Sequence, residues 1–590
     1  MVEKENREYL DNLRHSCSHL LAAAVVELWP QAKPTLGPPI EDGFYYDFDF
    51  GAAKVSEDDL HRIEEKMRGI VKGWSGFSHR EVSRDEAHEI YKGNQYKLEL
   101  IDEIVARGEK ITLYTVGSFT DLCRGGHTDN PSKELKHFKL MSVAGAYWRG
   151  SEKNPMLTRI YGTCFPTKQE LDEYLAMLEE AKKRDHRKLG QELDLFTFSD
   201  DVGPGLPLWK PKGQIIKDEL EAWAKETEAA WGYVRVSTPH IAKHTLFEIS
   251  GHLPYYKDDM YSPMDIEGED YYLKGMNCPH HHMIFTSSPK SYRDLPLRYA
   301  EYGMVYRFEG SGTLFGLMRV RAIDQNDAHI YCAEEDAEEE FLQVLRLHEY
   351  YYNQLGLTKD DYHIVIGLPD EAKRDKYHGD KKLWDKAEQM MRGAIAKSGI
   401  KSVDDVGGAA FYGPKIDFVV KSSIGREFAI STNQLDLYMP TRFHLEYTDK
   451  DGSKKLCAVI HRAPLGSHER FIGFLIEHFA GAFPVWLSPV QVAILPVSTD
   501  KHADGAKGLA KELRDAGIRV EVDDADETVG NKIRKASKMK TPYILVVGDK
   551  ELGGDDLTVR VRGKEEQEKI PKDVFIERVK REIAERSIGR

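Results

Sequence analysis

The chain has 590 residues, 41% hydrophobic and 31% charged, a globular balance that predicts about four domains at about 150 residues each. Its 83 basic and 98 acidic residues give a net charge of −15, which argues against a protein that coats nucleic acid through bulk charge. A membrane or secreted protein is excluded, and a reduced, cytoplasmic protein is expected, because the sequence lacks a long apolar run, a secretory signal and a disulfide framework.

Residues 1–165 are predicted to mix helices and strands, beginning with a helix from about Lys4 to Leu28 and ending in the strand-like RIYGTCF. A connector follows at residues 166–195. Its polar, charge-laced sequence predicts one helix from Lys168 to about Leu193, in which Gly190 is the one helix-breaking residue.

Residues 196–486 contain many short strand patterns separated by Gly, Pro and Asp turns, which predicts an antiparallel sheet. Residues 487–590 alternate in the order βαβαββα, which is typical of a small α/β domain. The predicted fold class is therefore a multidomain α+β protein.

Three motifs in the middle block stand in a fixed order: TPH around Pro239 after a long helix, VYRFEGSG at Val305–Gly312, and LGSHERFIGFL at Leu465–Leu475. Each is a weak signal alone. In this order and at these spacings they resemble the signature motifs of class II aminoacyl-tRNA synthetases. The resemblance implies a catalytic domain on an antiparallel sheet that uses ATP with Mg²⁺.

The resemblance assigns roles to several of these residues. Arg307 is expected to grip the ATP α-phosphate and the amino-acid carboxylate, since a guanidinium matches planar oxyanions with two hydrogen bonds. Glu309 is expected to accept from the adenine amino group, and Arg470, at a helix start, to meet the γ-phosphate or stack under the base. Lys415 joins the two arginines as a catalytic position. Further substrate and ATP positions are Met276, Arg319, Gln325, Asp327, Thr432, Gln434 and Ser467.

Two positions depart from the family pattern. Ile323 stands where an aromatic residue often stacks on adenine, and Ala429 replaces a residue that is often polar. Weaker stacking on the purine is expected.

Cys278 in KGMNCPHH, His329 in NDAHIYC and His461 in AVIHRA match the zinc ligands of threonyl-tRNA synthetases. A thiolate and two imidazoles suit zinc and leave a fourth position open. The resemblance implies one zinc ion per subunit that contacts the amino and hydroxyl groups of threonine. The alternative for any one of these residues is an ordinary buried side chain. His280, His281 and His282, next to Cys278, are expected to be structural or to support the ligands.

His15 and His19 are four residues apart and share one face of the first predicted helix. With the distant DLCRGGH they invite a zinc-hydrolase interpretation, but HSCSH lacks the glutamate of HExxH. The two motifs together resemble the editing domain of bacterial threonyl and of alanyl synthetases, which implies hydrolysis of mischarged seryl-tRNA without an established metal. The expected editing residues are His15, His19, Tyr46, Lys97, Asp121, Cys123 and His127. His15 and Lys97 are the candidates for activating water and orienting the ester, and the proton carrier stays open.

The tail resembles the anticodon-binding domain of this synthetase subgroup. Glu551 in GDKEL and Arg560 in TVRVR fall on anticodon-contacting positions, and Asp526 departs from the usual amide. The basic stretches Asn531–Lys540 and Lys182–Lys188 have two interpretations, a solvated helix face or phosphate contact, the latter through Lys532, Arg534 and Lys535 in the tail.

The resemblance covers essentially the whole sequence. It implies an enzyme that activates L-threonine with ATP, transfers it to tRNA(Thr) and hydrolyses seryl-tRNA(Thr). Its domains are expected at 1–165 (editing), 166–195 (linker helix), 196–486 (catalytic) and 487–590 (anticodon-binding). A homodimer through Gly213–Pro239 is expected. The sequence begins at the editing domain, without the ubiquitin-like domain that often precedes it, and activation and editing are expected not to need that domain.

Three alternatives remain at this point. One is another class II synthetase, such as a prolyl-like enzyme, which has no use for a metal that reads a hydroxyl group. The second is a non-catalytic tRNA-binding paralogue, which is expected to lose Arg307, Arg470 or a zinc ligand. The third is a zinc hydrolase that acts through the N-terminal histidines.

Overall fold

The computed structural model describes residues 2–422 and 427–589. The chain divides into two compact units, residues 1–179 and 180–590. Among the described residues, no helix combines the length and apolar character that crossing a membrane requires. The multidomain α+β class is confirmed.

The first unit has two antiparallel sheets. The larger has the strand order Lys33–Pro34, Gly43–Asp49, Met156–Phe165 and His137–Tyr147, with Pro39–Ile40 paired to Gly43–Asp49. The smaller has the order Ser78–Val82, Ile111–Val116 and Phe119–Leu122. The helices are Val2–Leu28, Leu60–Ile70, Arg84–Ile90, Gln95–Ala106 and Pro131–Glu134.

Local sequence explains where two of these helices place functional side chains. Leu13, Cys17 and Leu20 are fully buried at helical spacing and form one face of the helix Val2–Leu28. Polar residues at the intervening positions occupy the other faces. The Asn94 side chain accepts hydrogen bonds from the backbone nitrogens of Tyr96 and Lys97, which fixes the start of the helix Gln95–Ala106.

The connector differs from its prediction. Instead of one helix, the chain forms Lys168–Arg184 and His186–Glu192, separated at Asp185. The Asp185 side chain accepts a hydrogen bond from the backbone nitrogen of Arg187 and so caps the second helix. The first helix therefore ends at an aspartate that caps the second helix, although no Gly or Pro stands at that position.

An eight-stranded sheet dominates the second unit. Its order is Val234–Arg235, Leu297–Tyr306, Ala322–Cys332, Ala458–Arg462, Glu427–Asp436, Lys415–Lys421, Tyr362–Leu368 and Ser402–Val406. The two outermost pairs are parallel and the others antiparallel, as the strand patterns predicted for most of the sheet. Smaller sheets are formed by Phe196–Thr197 with Leu208–Trp209, by Ile241–Lys243, Glu269–Leu273 and Met264–Ile266, and by Glu446–Thr448 with Lys454–Leu456.

Helices pack around this sheet: Pro211–Ala230, His244–Ile249, His252–Tyr255, Cys278–Thr286, Ala337–Gln354, Lys381–Ser398, Met439–Phe443 and His468–His478. A buried ion pair ties the first of them to the sheet. Arg462 donates to Glu228 at 2.9 Å, and both side chains are buried. Asn326 also donates to Glu228, at 2.8 Å, so one carboxylate joins two neighbouring strands to the helix.

The C-terminal part has a five-stranded sheet in the order Val520–Val522, Val492–Pro496, Tyr543–Val547, Asp556–Val561 and Gln567–Pro571. Its helices are Thr499–Asp515, Val529–Lys538, Asp549–Gly553 and Lys572–Ala584. Compared with the predicted βαβαββα order, the structure adds the short helix Asp549–Gly553 and the strand Gln567–Pro571. Both are too polar or too short to give a periodic apolar pattern.

Candidate functional sites

A cavity of about 310 Å³ opens at the centre of the eight-stranded sheet. Eight of the predicted substrate, ATP and catalytic residues line it: Arg307, Glu309, Arg319, Gln325, Lys415, Thr432, Ser467 and Arg470. Ile323 and Ala429, the two departures from the family pattern, line the same cavity. Residues that are more than 160 positions apart in the chain thus meet at one concave surface.

Arg470 is held in place by the start of its helix. Ser467 caps the helix His468–His478 by accepting from the Arg470 backbone nitrogen, and the Arg470 guanidinium donates to the carbonyls of Met318 and Ala429. Burial and the neighbouring charges of Arg307 and Arg319 lower the pKa of Arg470. Three guanidinium groups and a helix N-terminus at one cavity favour a polyanionic ligand.

Carboxylates partly balance these cations. Glu309 accepts from Arg319 at 2.8 Å, and Lys415 donates to Asp417 at 2.7 Å. Asp417 also lines the cavity and was not among the predicted residues. Because it stands two positions after Lys415 on one strand, its side chain points to the same face, a signal that the sequence did contain.

Three predicted residues lie elsewhere. Met276 lines an adjacent cavity of about 160 Å³, which Arg307, Glu309 and Arg319 also border. Asp327 and Gln434 line neither cavity. Asp327 accepts from the Asn277 side chain at 3.0 Å, and Gln434 stands directly opposite His461 in the sheet.

The three predicted metal ligands come together. Candidate ligand atoms of Cys278, His329 and His461 all lie within 4.8 Å of one another, and all three residues are buried. Cys278 begins the helix Cys278–Thr286, while His329 and His461 are paired across neighbouring antiparallel strands. The donor set and spacing fit a zinc ion with an open position.

Asp436 supports this cluster and was missed in the sequence. Its carboxylate lies 3.1 Å from His461 Nε2 and also accepts from the backbone nitrogens of Tyr438 and Met439. Nothing in the spacing of Asp436 relative to His461, 25 residues apart, marks the contact.

The first unit contains a cavity of about 430 Å³, which is lined by six of the seven predicted editing residues: His15, His19, Tyr46, Lys97, Asp121 and Cys123. The seventh, His127, lies 3.3 Å from Cys123 Sγ and stacks on Phe77 with ring centroids 4.0 Å apart. The rim of the cavity carries three cations: Arg107, Lys110 and Arg124.

Asp121 is the hub of the buried end of this cavity. Its carboxylate accepts from Lys97 at 2.5 Å and from the Tyr46 hydroxyl at 2.5 Å. It also lies 3.3 Å from His19 Nδ1. Burial opposes the charged form, yet Lys97 and His19 lower the pKa of Asp121. A buried carboxylate with three partners fixes its neighbours rather than titrating near neutral pH.

The histidines and Cys123 form a second, coupled group. Burial opposes ionisation of the thiol, but hydrogen bonds with His127, His15 and His19 lower the pKa of Cys123 to about 3. For His19, burial disfavours the cation, while Asp121 and Cys123 raise its pKa to about 9. At neutral pH the site therefore favours a thiolate beside an imidazolium.

The same group also has the geometry of a metal site. Candidate ligand atoms of His15, His19, Cys123 and His127 all lie within 4.8 Å of one another. The spacing alone does not separate a metal site from a hydrogen-bonded cluster, because His19 Nε2 lies 3.3 Å from His15 Nε2 and Cys123 Sγ lies 3.5 Å from the same atom. Metal content is the measurement that separates them.

The predicted anticodon residues lie on neighbouring elements of the C-terminal part. Glu551 is in the helix Asp549–Gly553 and accepts from Thr558 at 3.0 Å, and Arg560 is on the strand Asp556–Val561. Neither interpretation of the tail stretch, a solvated helix face or phosphate contact, holds for Lys532, because its side chain is buried and its ammonium donates to the Pro496 carbonyl.

Several other cations of the two basic stretches also have local partners. Lys535 pairs with Glu527, and Arg534 donates to Asn531. In the connector, Arg187 pairs with Asp185, and His186 is fully buried against Glu477 at 2.8 Å. Much of both stretches is therefore structural.

Three comparisons bear on these sites. Three protein families match parts of the chain. The family described as "tRNA synthetase class II core domain (G, H, P, S and T)" matches residues 260–479, the family "Anticodon binding domain" matches 491–582, and the family "Threonyl and Alanyl tRNA synthetase second additional domain" matches 111–161. The chain is 47% identical over 587 residues to the threonine–tRNA ligase of Rubrobacter xylanophilus, covering 99% of this chain and 91% of that protein.

The threonine–tRNA ligase of Thermotoga neapolitana is 46% identical over 589 residues, which covers 100% of this chain and 90% of the relative. Among solved structures, the RNA binding domain of threonyl-tRNA synthetase from Cryptosporidium parvum Iowa II aligns with a TM-score of 0.64 and 34% identity, covering 69% of this chain and 99% of that structure.

Proposed function

The chain belongs to the threonine–tRNA ligase family, and from this premise we propose which of its residues carry each step. The enzyme activates L-threonine with ATP, transfers the threonyl group to the 3′ end of tRNA(Thr) and hydrolyses mischarged seryl-tRNA(Thr). The prolyl-like and non-catalytic alternatives lose their basis, since the relatives match over nearly the full chain.

The 310 Å³ cavity is proposed to hold ATP with Mg²⁺ and the adenylate. Arg307 and Arg470 bind the phosphates, Lys415 adds charge stabilisation as the α-phosphate is attacked, and Glu309 accepts from the adenine amino group after leaving Arg319. Arg319, Gln325, Thr432 and Ser467 complete the wall, with Met276, Asp327 and Gln434 proposed to bind the amino-acid side of the adenylate. Ile323 gives the purine an aliphatic neighbour.

The observation that carries the proposal is the position of the Cys278, His329 and His461 cluster. Gln325 of the ATP cavity and His329 of the cluster lie four residues apart on one strand, so both point to the same face of the sheet. These three residues would hold one zinc ion per subunit. When bound, zinc would supply a Lewis-acid contact to the amino and hydroxyl groups of threonine. Valine has no hydroxyl group and could not make the second contact.

Serine keeps that hydroxyl and lacks one methyl group, a difference worth only about 1–3 kcal/mol of discrimination. A second site is therefore needed, and the 430 Å³ cavity is proposed to be that site. His15 and Lys97 activate water and orient the ester. His19, Tyr46, Asp121, Cys123 and His127 shape the pocket and exclude the extra methyl of threonine.

The remaining assignments concern tRNA and assembly. Glu551 and Arg560 are proposed to contact anticodon bases. A homodimer is proposed through Gly213–Pro239, supported by the exposed edge strand Val234–Arg235. The domain limits predicted from the sequence, 1–165, 166–195, 196–486 and 487–590, are retained as proposals. A cytoplasmic location is proposed from the six unpaired cysteines.

ATP–pyrophosphate exchange with each amino acid, with and without a strong zinc chelator, tests the activation site. We expect exchange with threonine, weaker exchange with serine and none with valine, all lost when zinc is removed. Threonine exchange that is indifferent to zinc removal would disprove the metal assignment. Exchange with a different amino acid would disprove the substrate.

A further inference from the structure

His281 lies between the metal cluster and a buried carboxylate. Its Nδ1 is 2.8 Å from Nδ1 of His329, and its Nε2 is 3.1 Å from a carboxylate oxygen of Glu301. All three side chains are buried. The sequence led to the expectation that His280, His281 and His282 are structural or support the ligands, and the contacts distinguish His281 from the other two.

The direction of each hydrogen bond follows from the groups around Glu301. The Lys274 ammonium donates to the Thr238 hydroxyl at 2.8 Å, so that hydroxyl donates onward to the Glu301 carboxylate at 2.9 Å. The Thr238 backbone nitrogen donates to the other carboxylate oxygen at 2.7 Å. Glu301 is thus an acceptor throughout, and His281 donates to it from Nε2.

A neutral imidazole carries one ring proton, so a proton on Nε2 leaves a lone pair on Nδ1 of His281. Two nitrogens 2.8 Å apart share one proton, which must therefore belong to Nδ1 of His329. Nε2 of His329 is left with a free lone pair, the form in which a histidine binds a metal. Asp436 fixes the tautomer of His461 in a similar way: Nε2 of His461 donates to the Asp436 carboxylate, so Nδ1 keeps its lone pair for a metal.

We propose that Glu301 and His281 are positioning residues that hold His329 in its metal-binding tautomer and ring orientation. The inference rests on the proposed zinc site, and it assigns to His281 the place that a carboxylate takes directly at His461. Outer partners of this kind typically change metal affinity by about 10–100-fold when removed. The chain of contacts passes through Thr238, next to Pro239 of the first motif, to Lys274.

Substitution of Glu301 by Gln gives a test that keeps shape and volume. The Gln oxygen must still accept from the Thr238 backbone nitrogen, so its NH₂ group faces His281 Nε2. His281 then carries its proton on Nδ1 and donates to His329, whose remaining proton moves to Nε2 and blocks the metal. Glu301→Gln is therefore expected to weaken zinc binding by about 10–100-fold without a void.

At His281, two variants differ only in the acceptor they offer. Phe retains a ring but no acceptor for His329. Asn places an oxygen where His281 Nδ1 lies, so it accepts from His329 although the link to Glu301 is lost. We expect H281F to lose zinc affinity to the same extent as E301Q, and H281N to restore most of it. His280→Gln is the matched control, because His280 is buried in the same helix and, among the described residues, its ring makes no hydrogen bond to Glu301 or to a metal ligand.

The measurement is zinc affinity of the full-length protein by competition with a chromophoric chelator, together with the visible spectrum of the cobalt-substituted protein. Far-UV circular dichroism confirms that each variant is folded. Wild-type-like zinc affinity in both E301Q and H281F, or equal losses in H281F and H281N, would overturn the proposal. If the wild-type chain binds no zinc, the zinc site itself fails, a result distinct from the failure of the positioning role.

Discussion

Cys123→Ala is expected to separate editing from activation. The thiolate contacts His127 at 3.3 Å and His15 at 3.5 Å, and Cys123 is one of the two residues that raise the pKa of His19. Its removal therefore takes one partner from each of three histidines. Asp121, which accepts from Lys97 and Tyr46, keeps those contacts, so the pocket stays assembled but loses its thiolate–imidazolium group.

The size of the effect follows from the first site alone. Without editing, discrimination against serine falls to the difference of one methyl group, about 1–3 kcal/mol or about 10–200-fold. At equal concentrations of the two amino acids, about one tRNA in 10 to 200 would then carry serine. Threonine activation is expected to be unchanged, because Cys123 lines only the cavity of the first unit.

The assay follows hydrolysis of preformed seryl-tRNA(Thr), with threonine-dependent ATP–pyrophosphate exchange measured on the same preparation. Cys164→Ala is the matched control, since Cys164 is fully buried in the same unit and does not line the cavity. The division of labour is refuted if Cys123→Ala abolishes threonine exchange, or if it hydrolyses seryl-tRNA at the wild-type rate.

Three further outcomes are expected. Cys278→Ala should contain no zinc by atomic absorption and His15→Ala should keep the single wild-type ion, whereas two ions per wild-type chain would revive the hydrolase alternative for the N-terminal histidines. Glu228→Gln should destabilise the second unit by about 3–5 kcal/mol in urea unfolding, because it leaves the Arg462 charge buried without its partner, and an unchanged midpoint would contradict this. Arg560→Ala should weaken tRNA binding by about 1–3 kcal/mol while pyrophosphate exchange is unchanged, and a loss of exchange would place Arg560 outside anticodon recognition.

The candidate catalytic and ligand-binding residues could be predicted from the sequence, whereas the contacts that hold them in place could not. Arg307 directly follows a strand, Lys415 begins one and Arg470 lies in the first turn of a helix, and the family resemblance named all three positions. Their meeting at one cavity follows from the antiparallel sheet. Asp436 and Glu301 were not predicted, because a buried carboxylate that partners a distant histidine leaves no local pattern.

The predicted element boundaries were wrong where a single side chain, rather than the average character of the segment, determines the structure. The connector ends its first helix at Asp185, since that side chain caps the next helix, while the surrounding charge pattern favours continuation. The strand Gln567–Pro571 was missed because most of its residues are exposed and show no apolar alternation where they pair with Asp556–Val561.

Burial decides which cations are available to a polyanion, and net charge does not report it. Lys532 belongs to the most basic stretch of the tail, yet its ammonium is buried and donates a hydrogen bond to a backbone carbonyl. Arg470 stands next to the acidic Glu469 in a sequence of low charge, yet its guanidinium lines a cavity beside Arg307 and Arg319, where burial and mutual repulsion lower its pKa. Glu309 and Asp417 balance these cations only in part, and a bound phosphate would relieve the remaining repulsion. An acidic chain can therefore bind nucleotide and tRNA at a few sites where cations are gathered, although its net charge of −15 opposes both ligands.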